Sequence, residues 1–384
     1  MAKVLKLGVA GLGRGFTVML PTFAADRRVT LIAAADPRAE ARARFAADFK
    51  GKVYETVAEL CADPAVEAVY VATPHQFHAE HAILAARAGK HLLVEKPMAI
   101  SIAECQAMIA AAKETRVRLI VGHSHSFDAP VARALELIES GAFGAVRMIT
   151  ALNYTDFVRR PRRPEEFDTA QGGGVLFSQA AHQVDIVRIL VGARAKSVRA
   201  TVGNWDRSRP MDGAYTALLT FDNGAAASLT YSGYGHFDSD EFQGWIGEMG
   251  HKKTHGRAVA VFSDADEAAR KQARNYGGAD YHPPAAPEAH QNFGTIIVSC
   301  ECADLRPTPN GVMIYLDGQG QLDPLPPPAI ARVEVIDELY AAVAEDRPPR
   351  HDGRSAMATL EICLAMLRSA REQREIMLEW QGNG

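Results

Sequence analysis

The sequence predicts an α/β chain in two parts. A doubly wound domain with a parallel sheet comes first, and an α+β domain with a large, mostly antiparallel open sheet follows. Two patterns carry this expectation. Through the first third, apolar strand-like runs alternate with helical stretches, the order that builds a parallel sheet covered on both faces. After about Ser126, strand-like runs follow one another across turns such as Asp222-Asn223-Gly224, a hairpin signal that implies antiparallel neighbours. At 384 residues the chain exceeds one common core. The expected division is 1–126 and 127–384, with helices over 332–373 packing back.

The first elements are the most explicit. Lys3 to Ala10 is an apolar run that opens into Gly11-Leu12-Gly13-Arg14-Gly15-Phe16, and after a helical stretch Val29 to Ala35 ends at Asp36. Ala68 to Ala72 leads into Thr73-Pro74 and a helix from about His78, which Gly89 stops. His91 to Val94 runs into Glu95-Lys96-Pro97, a helix spans Ile102 to Thr115, and a strand covers Arg118 to Gly122. In the second part, a helix over Pro130 to Ser140 precedes a strand ending near Asn153. An irregular arginine-rich stretch and a helix near Ala180 to Leu190 come next. Strand-like runs follow at Ser197 to Asn204, Tyr215 to Phe221, Ala225 to Tyr231, Gly294 to Cys302 and Gly311 to Leu316. Residues 251–291 are polar and carry no assignable pattern, and Pro324 to Pro328 reads as a connector.

Strand, glycine turn, helix, strand and acid is the layout of a dinucleotide site. Glycines let backbone approach a pyrophosphate, the helix N-terminus faces its charge, and an acid about twenty residues on bonds the ribose. The third position of G-x-G-x-x-G is Phe16, with Gly15 one residue early. NAD is the expected cofactor because of Asp36, with NADP as the alternative because Arg38 follows closely. Ligands in such sheets sit beyond the carboxyl ends of the strands, which gathers Gly11, Asp36, Thr73, Glu95, Lys96 and His123 around one crevice. Gly13, Arg14, Gly15, Phe16 and Pro74 complete the expected cofactor contacts.

Composition narrows the class. Hydrophobic content of 47%, charged content of 23% and a net charge of -4 describe an ordinary globular protein with no electrostatic footprint for nucleic acid. No apolar run reaches the roughly 18 residues that span a bilayer. The N-terminus runs straight into a strand, and five scattered cysteines match reduced thiols better than a disulfide framework, so a cytoplasmic setting is expected.

Two strings carry chemistry. Lys96 ends a buried strand, where burial and a cationic ring would lower its pKa toward proton exchange with a substrate hydroxyl; a surface lysine before proline is the competing reading. Gly172-Gly173-Gly174 precedes a helix with Ser178, His182 and Asp185 spaced by four and three, on one face. A histidine there is a general base or an ordinary core residue. The histidines at 75, 78, 81, 123 and 125 complete no metal set with an acid or cysteine, so no metal is expected.

The strings GLGRGF at Gly11, TPHQFHAEHAILAARAGKHLLVEKP at Thr73 and GGGVLFSQAAHQVDIVRILVG at Gly172 resemble the glucose–fructose oxidoreductase/inositol dehydrogenase (Gfo/Idh/MocA) family. The resemblance spans nearly the whole chain. It implies a Rossmann domain followed by a domain whose open sheet forms a homodimer or homotetramer. It also implies Lys96 and His182 as the catalytic pair and His78 as a contact near the cofactor. Ser178 stands where the family usually has aspartate and Ala180 where it has glycine, which shifts proton chemistry onto Lys96 and His182. Three further strings, at Gly122–Pro130, Arg159–Gly174 and Val298–Tyr315, are similar to the phthalate 4,5-cis-dihydrodiol dehydrogenase branch. Arg159, Arg160, Arg162 and Arg163 suit that reading, because guanidinium groups bind carboxylates through paired hydrogen bonds. His123, Ser178, Gln179 and Asp185 complete the expected substrate contacts, and the expected partner is a cyclic carboxylate. A sugar or inositol dehydrogenase and a non-catalytic cofactor-binding regulator are the alternatives.

Overall fold

In the computed structural model, which describes residues 3–254 and 264–382, the chain forms two sheets. The first contains β1 (Leu5–Ala10), β2 (Val29–Ala35), β3 (Lys52–Tyr54), β4 (Ala68–Val71), β5 (His91–Val94) and β6 (Leu119–Val121). All its pairings are parallel, in the order β3-β2-β1-β4-β5-β6. Strand order reverses between β1 and β4, so a crevice opens where the loops after these two strands part to opposite faces. β1, β4 and β5 are almost wholly buried apolar runs, as strands covered on both faces must be.

The second sheet contains nine strands. They are β7 (Val146–Tyr154), β8 (Ala195–Gly203), β9 (Ala214–Phe221), β10 (Ala226–Ser232), β11 (Thr295–Cys300), β12 (Asp304–Thr308), β13 (Gly311–Leu316), β14 (Gln319–Pro324) and the short β15 (Ile376–Met377). Their order is β14-β13-β12-β11-β7-β10-β9-β8-β15, antiparallel except for the β7–β10 pair at the centre. Period-two alternation sets the two faces. Ile149, Ala151, Leu219, Val298 and Ile296 point inward and are buried, while Met148, Leu218 and Ile297 point outward and are exposed. Helices Ala129–Glu139, Ala181–Val191 and Gly353–Glu372 cover the inner face. The expected connector at Pro324 to Pro328 follows directly on β14, a strand the sequence pattern did not show because it is polar and largely exposed.

The last two helices return to the first domain. Val335, Ile336 and Leu339 of helix Val333–Ala344 are buried in the same core as Leu5 and Leu7, and Leu360 of the final helix joins the core beneath β4 and β5. The unassigned stretch 251–291 also reaches back, apart from 255–263, which lie outside the described residues. After helix Asp264–Ala273, Tyr276 is fully buried edge-on to Phe16 (5.1 Å between ring centroids) and its hydroxyl donates to Asp48 (2.7 Å). Gly277 follows with φ +79° and passes so close to helix Ala39–Phe49 that a Cβ would lie 2.7 Å from Ala41 Cα.

The same short helix is anchored to the arginine-rich loop. Glu267, buried, accepts from Arg209 Nη1 (2.6 Å) and from the Arg162 backbone N–H (2.9 Å), and Lys271 pairs with Glu166. Removing one partner of a buried pair strands the other charge, at a cost of about 3 kcal/mol. Glu267→Ala should therefore lower the unfolding free energy by about that amount. Glu267→Gln, which keeps an acceptor, should lose less. Denaturant titration of the three proteins checks both.

Candidate active site

A cleft of about 940 Å³ lies between the two domains, beyond the carboxyl ends of β1, β4 and β5. At one end, Gly11 turns the chain with φ +92°, and a Cβ there would sit 2.8 Å from the Ala72 carbonyl oxygen. Gly13 faces open space with nothing within 4 Å of an added Cβ. Helix Arg14–Ala25 starts there without a side-chain cap, which leaves its first N–H groups directed at the cleft. Glycines with open backbone at an uncapped helix start fit a pyrophosphate. Arg14, Gly15, Thr73, Pro74 and His78 line the same end. His78 ties the strand ends together, with ring nitrogens 2.8 Å from the Thr73 and Pro97 carbonyl oxygens.

Phe16 corrects an expectation. It is fully buried among Phe45 and Tyr276 and does not line the cleft, because the helix turns its side chain toward the core. Asp36 lines the cleft next to this glycine turn. Its carboxylate accepts from Leu12 N–H (2.8 Å), Arg38 N–H (2.9 Å) and Arg38 Nε (3.0 Å), while Arg38 Nη2 also donates to Leu12 O (2.9 Å).

At the other end, Lys96 Nζ donates to the backbone carbonyl of Ser178 (2.9 Å), a bond that joins the two domains. Burial lowers the Lys96 amine below the ordinary lysine value of 10.5, against the opposing pull of Glu95 and Glu248. Glu95 accepts from the buried Tyr70 hydroxyl (2.5 Å). His75 donates from Nδ1 to Gly172 O (2.9 Å), which fastens the glycine run to the first domain. Leu176–Ala180 form one turn of π-helix before helix Ala181–Val191. The shared face expected of Ser178, His182 and Asp185 holds for the first two, which both line the cleft, but not for Asp185. Ser178 meets Lys96 through its carbonyl, His182 faces the cleft, and Asp185 points away from it.

The Asp185 carboxylate accepts instead from Ser126 and from Thr359 Oγ1 (2.9 Å). It does not line the cleft, so substrate contact is not its place. His182 is held well below the ordinary histidine value by burial and then by the positive charge of Lys96. Its Nδ1 accepts a long bond from the His125 backbone N–H (3.4 Å), which places the proton of the neutral ring on Nε2. Gln179 lines the cleft and accepts from Tyr231 (3.2 Å).

Sequence reasoning missed the acids facing this pair. His123 Nε2 (3.1 Å) and His125 Nδ1 (2.6 Å) both reach Asp128, and their ligand atoms lie within 4.8 Å of one another. The carboxylate bonds both rings while His125 Nε2 keeps no hydrogen-bond partner, so two of the histidines do meet an acid, contrary to the expectation from spacing. Burial alone would lower His125, but Asp128 and Glu248 outweigh it and raise it; burial and Arg332 drive His123 down to about 3. Glu248 Oε1 stands 3.5 Å from His125 Nε2, an ion-pair distance outside hydrogen-bond geometry.

The four loop arginines separate. Arg159 leaves the cleft and donates to Tyr234 O (2.8 Å), which removes it from the expected substrate set. Arg160 lines the cleft beside Asp156 (2.8 Å) and Glu248 (4.0 Å). Arg162 lies 3.6 Å over the Phe157 ring with its Nε unbonded, and burial lowers it to about 10. Arg163 pairs with Glu165 (3.1 Å). Arg332, at the start of helix Val333–Ala344, also lines the cleft. It bonds Gln291 (3.0 Å) and approaches Met249 Sδ (3.5 Å), and among the described residues no carboxylate pairs with it. No sequence pattern marks Arg332, since it stands alone between a proline-rich stretch and a helix.

Such a crevice, with a half-buried lysine and a neutral histidine facing the open dinucleotide turn, is that of a nicotinamide-dependent oxidoreductase. The chain belongs to the Gfo/Idh/MocA family. Residues 5–123 match its oxidoreductase domain with an NAD-binding Rossmann fold and residues 131–247 match its C-terminal domain. It is 46% identical over 379 residues to the 1-carboxy-3-chloro-3,4-dihydroxycyclohexa-1,5-diene dehydrogenase of Comamonas testosteroni, covering 96% of each chain. A crystal structure from Bordetella bronchiseptica RB50 superposes with a TM-score of 0.89 at 36% identity, over 97% of this chain and all of that one. The WlbA dehydrogenase of Bordetella pertussis, solved with NADH and UDP-GlcNAcA, shares the fold (TM-score 0.70, 22% identity, 98% and 99% covered). The protein is an NAD(P)-dependent dehydrogenase with NAD as cofactor. Among the described residues no helix is long and apolar enough to cross a membrane.

Asp36 should disfavour a 2′-phosphate, because its buried carboxylate repels that charge. Wild-type kcat/KM should favour NAD over NADP, and Asp36→Ser, which also frees Arg38, should narrow or invert the ratio. Steady-state kinetics with both cofactors measure it.

Proposed function

We propose that the enzyme dehydrogenates a cyclic cis-dihydrodiol carrying carboxylate, of the 4,5-dihydro-4,5-dihydroxyphthalate type, to the corresponding catechol. The observation that carries this reading is the meeting of a half-buried lysine, a neutral histidine and several arginines in one cleft. Lys96 and His182 suit a carbinol; Arg160, Arg162, Arg163 and Arg332 suit carboxylates. The Comamonas relative is named for a carboxylated dihydroxycyclohexadiene, which supports the same substrate class.

NAD, when bound, supplies the hydride acceptor. Lys96, held toward its neutral amine, takes the hydroxyl proton. His182, with its proton on Nε2, donates to the substrate oxygen and orients it. The ketone formed on the ring tautomerises to a catechol, and aromatisation makes the oxidation favourable. Asp128 and Glu248 shift His125 upward while burial and Lys96 shift the neighbouring His182 downward, so the two adjacent rings are biased toward opposite protonation states. A homo-oligomer would form on the outer face of the nine-stranded sheet, where Met148, Leu218 and Ile297 stand exposed.

Lys96→Met and His182→Ala should each reduce kcat by roughly a hundredfold or more while cofactor affinity stays near wild type. Wild-type kcat should rise with pH along a limb whose midpoint lies below 10.5, since a lowered amine deprotonates early. Lys96→Met should remove that limb. Wild-type turnover by either variant on the dihydrodiol would end its assignment.

For the arginines, single neutralisation of Arg160, Arg162, Arg163 and Arg332 should raise KM strongly at one position or more. The effect should appear with a dicarboxylate dihydrodiol and nearly vanish with an uncharged one. Equal activity on both diols with every variant unaffected would refute the carboxylate reading, and inositol turnover in the same assay would favour a polyol dehydrogenase.

A further inference from the structure

Behind Lys96, on the side away from the main cleft, lies a second cavity of about 30 Å³. Ser124, Asp185, His351, Ser355 and Thr359 supply its polar lining. Among the described residues, Lys96 alone lines both this cavity and the cleft. The volume admits a water, and polar partners are at hand. Ser124 Oγ is buried there with no hydrogen-bond partner in the protein, the kind of group that an enclosed water satisfies.

An unbroken chain of hydrogen bonds leads outward from the cavity wall. Asp185 bonds the Ser126 hydroxyl, and Ser126 Oγ lies 3.0 Å from His351 Nε2. His351 Nδ1 lies 2.7 Å from Glu338 Oε2, and the Glu338 side chain is 17% exposed. Three of the four residues are buried, and His351 is held flat against Phe127 (3.5 Å between centroids). They come from four separate parts of the chain, yet every link joins a group able both to accept and to pass a proton.

We propose that Asp185, Ser126, His351 and Glu338 form the exit path for the proton that each oxidation releases. Each turnover leaves one proton on Lys96, which must return to its neutral amine before the next. The ammonium gives that proton to water in the inner cavity, and Asp185 takes it from the water. Ser126 accepts it from Asp185 while its own hydroxyl proton passes to His351 Nε2. The Nδ1 proton of His351 passes to Glu338, and Glu338 loses it to solvent. No electrons move, and one proton enters as one leaves. The main cleft is filled by cofactor and substrate during turnover, so a back door lets the proton leave while both are bound.

This rests on Lys96 as the proton acceptor, and the experiment separates the two claims. Ser126→Ala cuts the path at its narrowest link while leaving Asp185 its bond to Thr359. Rapid mixing should show a first-turnover hydride transfer within about twofold of wild type, and steady-state kcat should fall about tenfold near neutral pH. Added imidazole or a small carboxylate buffer should restore kcat, and His351→Phe should behave alike. Wild-type kcat in both variants, with Lys96→Met inactive, would overturn the path and keep Lys96 as the base. A slowed first turnover that buffer does not rescue would also overturn it, by showing a structural role alone. Wild-type turnover by Lys96→Met would instead overturn the base assignment.

Discussion

The bond from Lys96 Nζ to the Ser178 carbonyl is the constraint on which the site depends. It places a cation from the end of a parallel strand against a turn that belongs to the second domain. An amine has three donors and no acceptor, so a backbone carbonyl can hold its position without neutralising it. A carboxylate in the same place would fix the charge and raise the pKa. The carbonyl leaves burial free to lower it, which a proton acceptor requires.

The surrounding charges divide the cleft into two kinds of ground. Around His125 the acids outnumber the cations, since Asp128 and Glu248 both face that ring. Along the arginine loop most guanidinium groups already have acids of their own, from Asp156, Glu165 or Glu166. Exposed or compensated pairs add little to anion recognition. Arg332 differs because it is positioned by an amide and a thioether, neither of which cancels charge. The arginine run drew the eye in the sequence by its density, yet density brings its own counter-ions.

Residues whose role is local were legible. Gly11, Asp36 and Lys96 end predicted strands, and topology alone gathers such ends into one crevice. His182 was legible through its helix. What escaped depends on contacts between distant segments. Glu248 and Arg332 reach the cleft from stretches without periodicity, and Tyr276 closes on the first domain from a polar segment far along the chain. β14 escaped because its exposed, polar residues carry no core-facing alternation, and β12 because it is five residues long and contains Pro307, which demotes a strand signal even though Leu305 is buried. Ser178 escaped differently. Its side chain was weighed as a replacement for aspartate, but the atom that matters is one that every residue type possesses.

The single π-helical turn at Leu176–Ala180 gives the site an unusual sensitivity to length. Such a turn holds one residue more than an α-helix needs, and losing that residue would leave the backbone equally well bonded. Yet the loss would rotate the glycine run against His182 by about 100°, the angle one residue occupies. A shortened chain would have its histidine out of phase with its lysine, and Leu176 and Phe177 out of phase with the cores they fill. Within this segment substitutions are graded in effect, whereas a one-codon deletion is all or nothing. Length here sets the phase of the site and of the core together.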